Sequence, residues 1–178
     1  MSEKNDVYSD VKGQMRLSER IVAFIPGFRG YKEKELRRES DRLIRNHLYL
    51  KLSTAKTDLR KISQKLADRR YFDVLTDMDR LLAKMDRVVE KVNHASYGYS
   101  GFFDAIKVKE ENLDRMIDFD TKLIDDVTVL TTEIDSFETD LANNVTANIK
   151  VRVQNVTDKL EALEDIFDKR EEVILGVS

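Results

Sequence analysis

The sequence predicts an all-α fold, an elongated antiparallel up-down bundle of four long helices with an extra short amphipathic helix at its N-terminus. Three observations predict it. Apolar residues recur at alternating four- and three-residue steps along most of the chain, the spacing of helix faces packed at shallow angles. One proline and six glycines among 178 residues are too few breakers for a turn-rich β-sandwich. Charged residues reach 37%, yet 41% of the chain is hydrophobic and the net charge is only -3, which fits a chain with a buried core rather than a disordered one.

This length suits one well-buried domain. Residues 1–30 read as an N-terminal amphipathic segment ending in a Pro/Gly turn, and 31–178 as the bundle. In the first segment, Met15, Leu17, Ile21, Val22, Phe24 and Ile25 make an apolar face, with Arg16, Glu19 and Arg20 on another. Gly13 and Pro26-Gly27 bound it. Such a helix either caps the bundle or lies on a membrane surface through residues 15–28, with Arg16, Arg20 and Arg29 at the headgroups.

The first long helix spans about 31–69, with a seam of Leu48, Leu52, Ala55, Leu59, Ile62 and Leu66; Leu36, Leu43 and Leu50 extend it upstream at seven-residue intervals. The second spans about 72–93. Tyr71, Leu75, Met78, Leu82, Met85, Val89 and Val92 form its seam, flanked by Val74, Leu81 and Val88, a stripe wide enough to touch two neighbours. The third covers about 105–142 through Leu113, Met116, Leu123, Val127, Leu130, Ile134, Phe137 and Leu141. Asp120 interrupts that seam, and a carboxylate there needs a basic or hydroxyl partner from another helix, a device for setting register. Asn143-Asn144 breaks the pattern before a fourth helix at about 145–173, seamed by Ile149, Val153, Val156, Leu160, Leu163 and Phe167.

Two segments pair glycine with aromatics: Ile25-Pro26-Gly27-Phe28-Arg29-Gly30-Tyr31, and Tyr97-Gly98-Tyr99-Ser100-Gly101-Phe102-Phe103-Asp104. The second helix is much shorter than the first, so the chain after it must return along the lower part of the first to start the third. That brings the two segments to one end. Phe28, Arg29, Lys32, Tyr97, Tyr99 and Phe102 are the candidate binding surface, with Arg29, Lys32 and the amides of the helix start suited to an anionic group. The alternative is an aromatic plug filling the space that the short helix leaves. The stretches Ile25–Arg38 and Tyr97–Asp104 resemble an uncharacterised prokaryotic helical family marked by IPG-x-x-GY-x-x-KE-x-RR and YGY-x-GFFD. The resemblance covers about a third of the chain, weakening through Leu113 and Asp120, and implies a helical fold but no activity.

Chemistry-bearing motifs are sparse. Cysteine is absent, which excludes disulfides and thiolate chemistry, and His47 and His94 are the only histidines. No phosphate-binding glycine loop, nucleophile elbow or zinc-protease motif occurs, and no Glu-x-x-His pair suits a di-iron site. The expectation is therefore no catalytic residue, cofactor or metal, and no enzymatic activity. Residues 1–70 carry 18 Lys and Arg against 10 Asp and Glu, while the remainder carries 13 against 24. This asymmetry suits charge matching between helices. Arg38, Arg42 and Arg45 share one helix face, but acidic residues interleave and aromatics do not punctuate the run, so nucleic acid ranks third among partners. No export signal or membrane span is visible in the sequence, so the expected place is the cytoplasm, with the inner membrane face as the alternative. The expected function is a non-enzymatic scaffold or adaptor that binds a protein partner and is able to self-associate.

Overall fold

The computed structural model describes residues 21–23, 25–27, 34–94 and 110–175. The described residues form an all-α bundle: α1 (Lys34–Asp68), α2 (Phe72–His94), α3 (Glu110–Ala142) and α4 (Ile149–Leu175), with a turn of helix at 21–23 ahead of them. The four predicted long helices are all present.

Their boundaries follow from local chemistry. After α1 the amide of Arg70 donates to the carbonyl of Ala67, and that of Tyr71 to the carbonyl of Leu66. Arg70 takes the left-handed conformation (φ 64°) that lets the chain reverse at once into α2. Beyond α3, Asn144 and Asn148 both take left-handed φ, at 58° and 66°. Asparagine tolerates this better than most residues, and so α4 starts at Ile149 instead of near Val145 as the sequence pattern suggested.

Each helix packs on two neighbours: α1 on α2 and α3, and α4 on α3 and α2. Lys65 of α1 reaches Glu138 of α3 at 2.7 Å, and Arg69 donates to the carbonyl of Leu141, so these two helices run parallel. Lys84, Arg87 and Lys91 of α2 pair in the same order with Glu161, Glu164 and Asp168 of α4, so those two are parallel as well. Two antiparallel hairpins therefore lie one on the other in the same orientation. The helices α2 and α3, consecutive in the chain, occupy opposite corners.

This register stacks the seams into layers. From the hairpin-turn end, the first holds Leu66, Val74, Leu141 and Ile149, and the next Ile62, Met78, Phe137 and Val153. The series continues through Leu59, Leu81, Ile134 and Val156, then Ala55, Met85, Leu130 and Leu160. Leu52, Val88, Val127 and Leu163 follow, and last Leu48, Val92, Leu123 and Phe167. Every one of these side chains is buried. On α2 the centre of the stripe is the row predicted as a flank, since Leu75 and Leu82 are only partly buried. On α1 the upstream extension differs more. Leu50 is 64% exposed and Leu43 only partly buried, because the four-three rhythm above Leu48 continues through Arg45 and not through the heptad row of leucines.

Arg45 thereby enters a seventh layer with Asp120, separated from it by the same sequence interval as each α1–α3 pair above. Arg45 is 9% exposed, Asp120 1% and the neighbouring Thr121 5%. Each of the three takes part in an interaction. The carboxylate predicted to break the α3 seam is therefore buried, and a buried arginine shares its layer.

Ion pairs line the flanks between helices. Lys56 and Arg60 of α1 meet Asp86 of α2, at 2.9 and 3.4 Å. Arg152 of α4 reaches both Glu133 and Asp140 of α3. Hydrogen bonding to Lys56 holds the Asp86 carboxyl below its usual pKa, and Arg87 does the same for Glu164. These pairs are partly exposed, so solvent screening keeps the contribution of each small. Their value lies in selecting which flank meets which.

Two stability outcomes follow. Arg70→Gly relieves a left-handed residue bearing a β-carbon and should stabilise the fold by about 0.5–1 kcal/mol in thermal or denaturant unfolding. Asp120→Leu alone should destabilise by about 3–5 kcal/mol, because it leaves Arg45 buried in a layer without its carboxylate. The Arg45→Leu/Asp120→Leu double variant should recover most of that loss. A double-mutant cycle with no coupling between the two sites would separate them.

Candidate functional site

The six residues of the predicted binding surface, Phe28, Arg29, Lys32, Tyr97, Tyr99 and Phe102, lie outside the described residues. So does the predicted approach of Phe28 to Tyr99. The described residues that bracket the two segments are close to one end of the bundle. A β-carbon built on Gly27 would stand 3.8 Å from Cδ1 of Leu43, two residues from the polar layer of Arg45. His94, the last residue of α2, follows directly on the layer of Val92 and Leu48. At this end Arg42, Asn46, Asn93 and His94 are exposed.

The amphipathic N-terminal stretch is described only in part. Ile21 is fully buried and Ile25 is 3% exposed, both in the same apolar cluster as Ile44 and Ile124, whereas Val22 is 49% exposed. Ile25 donates its amide to the carbonyl of Ile21, closing one helical turn that places both isoleucines on one side. Gly27, at φ 89°, then turns the chain in a conformation that residues with a β-carbon resist. This turn packs against the bundle, with its two isoleucines in the core.

The predicted basic face does not stay together. Arg42 is exposed but Arg45 is turned into the core, since Arg45 falls three residues before Leu48 on the seam. His94 is exposed and lies 3.0 Å from Glu90 one turn earlier. His47 sits at the edge of a groove, and burial first, then the charge of Lys51, lowers its pKa.

That groove runs between α1 and α3, has a volume of about 400 Å³, and is lined by His47, Leu50, Lys51, Thr54, Ala55, Asp58, Thr131 and Asp135. The sequence pattern did not single it out. The available signal was a change in kind along one heptad flank of α1: Ile44, Lys51, Asp58, Lys65. Lys65 faces α3 through Glu138, so this flank borders α3 along its length. Ile44 is buried, while Lys51 is exposed.

Asp126 is a further group outside the predicted set. Its Oδ2 is buried with no hydrogen-bond partner. One heptad away Arg152 serves Glu133 and Asp140, but the equivalent position on α4 is Lys159, for which the described residues show no ion pair with Asp126. Burial raises the Asp126 pKa and Asp125 adds to the rise, against the attraction of Lys122. Among the described residues no group of three or more His, Cys, Asp or Glu is arranged to hold a metal ion. Among them, too, no helix is long and apolar enough to cross a membrane.

Compared with known proteins, the chain matches no family model, no curated protein and no solved structure.

Asp126→Asn should raise stability at neutral pH by about 1 kcal/mol or less. The sign comes from linkage. A carboxyl whose folded pKa exceeds its unfolded value favours folding when protonated, and that contribution is lost as pH rises through the folded pKa. The advantage of the asparagine should therefore shrink as pH falls and wild-type Asp126 takes up its proton. Unfolding curves of both proteins across the acid range check this.

Proposed function

We propose that this protein is a non-enzymatic helical-bundle scaffold or adaptor that binds a protein partner at the end of the bundle beyond His94. The observation that supports this reading is the placement of the segment boundaries. Gly27 lies against Leu43, and α2 stops at the neighbouring level, so the described residues that lead into the two glycine-aromatic segments are at the same end. Elsewhere the helices are locked in layers and bordered by ion pairs, which makes a rigid rod. A rigid rod holds the described residues that lead into both segments in fixed places, and pre-organisation lowers the entropic cost of binding. Arg29 and Lys32 suit this surface to an acidic group on the partner.

Affinity capture from native lysate, with the captured proteins identified by mass spectrometry, should return a partner that Arg29→Ala loses. The melting temperature of Arg29→Ala should stay within about 1 °C of wild type. Arg80→Ala, at a side chain 78% exposed on the middle of α2, should retain the partner. A large loss of stability in Arg29→Ala would instead assign the segments to filling the end of the bundle.

A further inference from the structure

Leu43 and Leu50 lie one heptad apart on α1 but off its buried seam. The turn at 21–27 reaches Leu43 through Gly27, its isoleucines are buried, and so are Ile44 and Ile124 on the α1–α3 flank. Leu50, one heptad farther along, is 64% exposed and borders the α1–α3 groove. An apolar strip thus runs along this flank, covered at one end by the chain itself and open at the other.

We infer that the α1–α3 flank is a docking track for an amphipathic helix of a partner protein, and that the turn at 21–25 is the track's built-in occupant at its lower end. The resident turn defines the chemistry. Ile21 and Ile25 are four residues apart and both buried, so aliphatic side chains at that spacing on one helical turn fit against this bundle. The open part continues the same channel and adds Leu50 and Ala55 as apolar floor, with Thr54 and Thr131 at its sides. Charge gives it a direction. His47 and Lys51 lie at the covered end, while Asp135 and Asp58, the latter already 2.7 Å from Lys61 Nζ, lie at the far end. The helix that fits carries aliphatic residues at a four-residue spacing and basic residues toward Asp58 and Asp135. Heptad equivalence shows the contrast: Thr121 is 5% exposed where the turn closes the flank, and Thr128, its counterpart beside the open groove, is exposed.

This inference rests on the reading of the protein as a binding module but concerns a different surface, so the two tests fail separately. The probe is a fluorescently labelled peptide with the sequence of residues 14–27, which carries the Ile21/Ile25 spacing and Arg16 and Arg20. Added to the full chain, it should bind saturably, and a scrambled peptide of the same composition should not. Leu50→Asp on α1 and Thr131→Arg on α3 should each weaken binding at least tenfold with the melting temperature nearly unchanged. Pro26→Cys/Leu43→Cys, joined by a short bismaleimide in this cysteine-free chain, should hold the turn in place and weaken binding as well. Failure of the peptide to bind, equal binding of the scrambled peptide, or affinity indifferent to both groove variants would overturn the inference. So would concentration-dependent dimerisation abolished by Leu50→Asp, which would assign the groove to a second copy of the chain. Loss of Arg29-dependent capture with peptide binding intact would count against the proposed function alone.

Discussion

The parallel alignment of α1 with α3 is the constraint on which the rest of this structure depends. Once Leu66 stands level with Leu141, every later layer follows at the same interval, down to Leu48 with Leu123 and Arg45 with Asp120. Burial of apolar surface drives the association, but it is non-directional and would tolerate a shift of one heptad. Specific groups oppose such a shift. Lys65 to Glu138 and Arg69 to the carbonyl of Leu141 hold one end, and the buried charged layer marks the other. A one-heptad slip would move Arg45 and Asp120 against apolar neighbours, and burying a charge in the wrong layer costs several kcal/mol.

The same alignment decides what each flank offers. Between α2 and α4, basic residues on one helix meet acidic ones on the other at a constant interval, through Lys84, Arg87 and Lys91. Between α3 and α4, Arg152 joins two carboxylates, while Asp126 one heptad away keeps an unpartnered oxygen. The α1–α3 flank divides into a covered apolar part beside Leu43 and Ile44 and an open groove beside Leu50. The open groove is lined by Leu50 and Ala55 among polar residues of both helices.

Much of the candidate site was legible in the residues as segments and much less as geometry. The two glycine-aromatic stretches announce themselves by composition, since four of the six glycines lie in them. The short second helix, which the spacing of apolar residues already implied, ends near the level of Leu43, beside Gly27. Arg45 was read as part of a basic face, and Leu43 and Leu50 as part of the seam, because single-helix periodicity cannot tell which of two overlapping heptad rows faces inward. The groove was legible only as the change from Ile44 to Lys51 and Asp58 along one heptad row of α1, since the helix that forms its other wall lies far away in the sequence.

By itself the sequence determined the helical class, the four long helices to within a few residues at most ends, and nearly all of the buried seams of α3 and α4. Those follow from local chemistry: few breakers, a four-three rhythm, and asparagines where the chain must turn left-handed. Only the tertiary structure decided that the hairpins stack with α1 beside α3, that Arg45 and Asp120 share a layer, and that Ile21 and Ile25 of the N-terminal turn enter the core. The physical reason is that each depends on which helix supplies the neighbouring surface. A helix's own periodicity defines its apolar face, but the partner's side chains settle which rows of that face become core and which stay open to solvent.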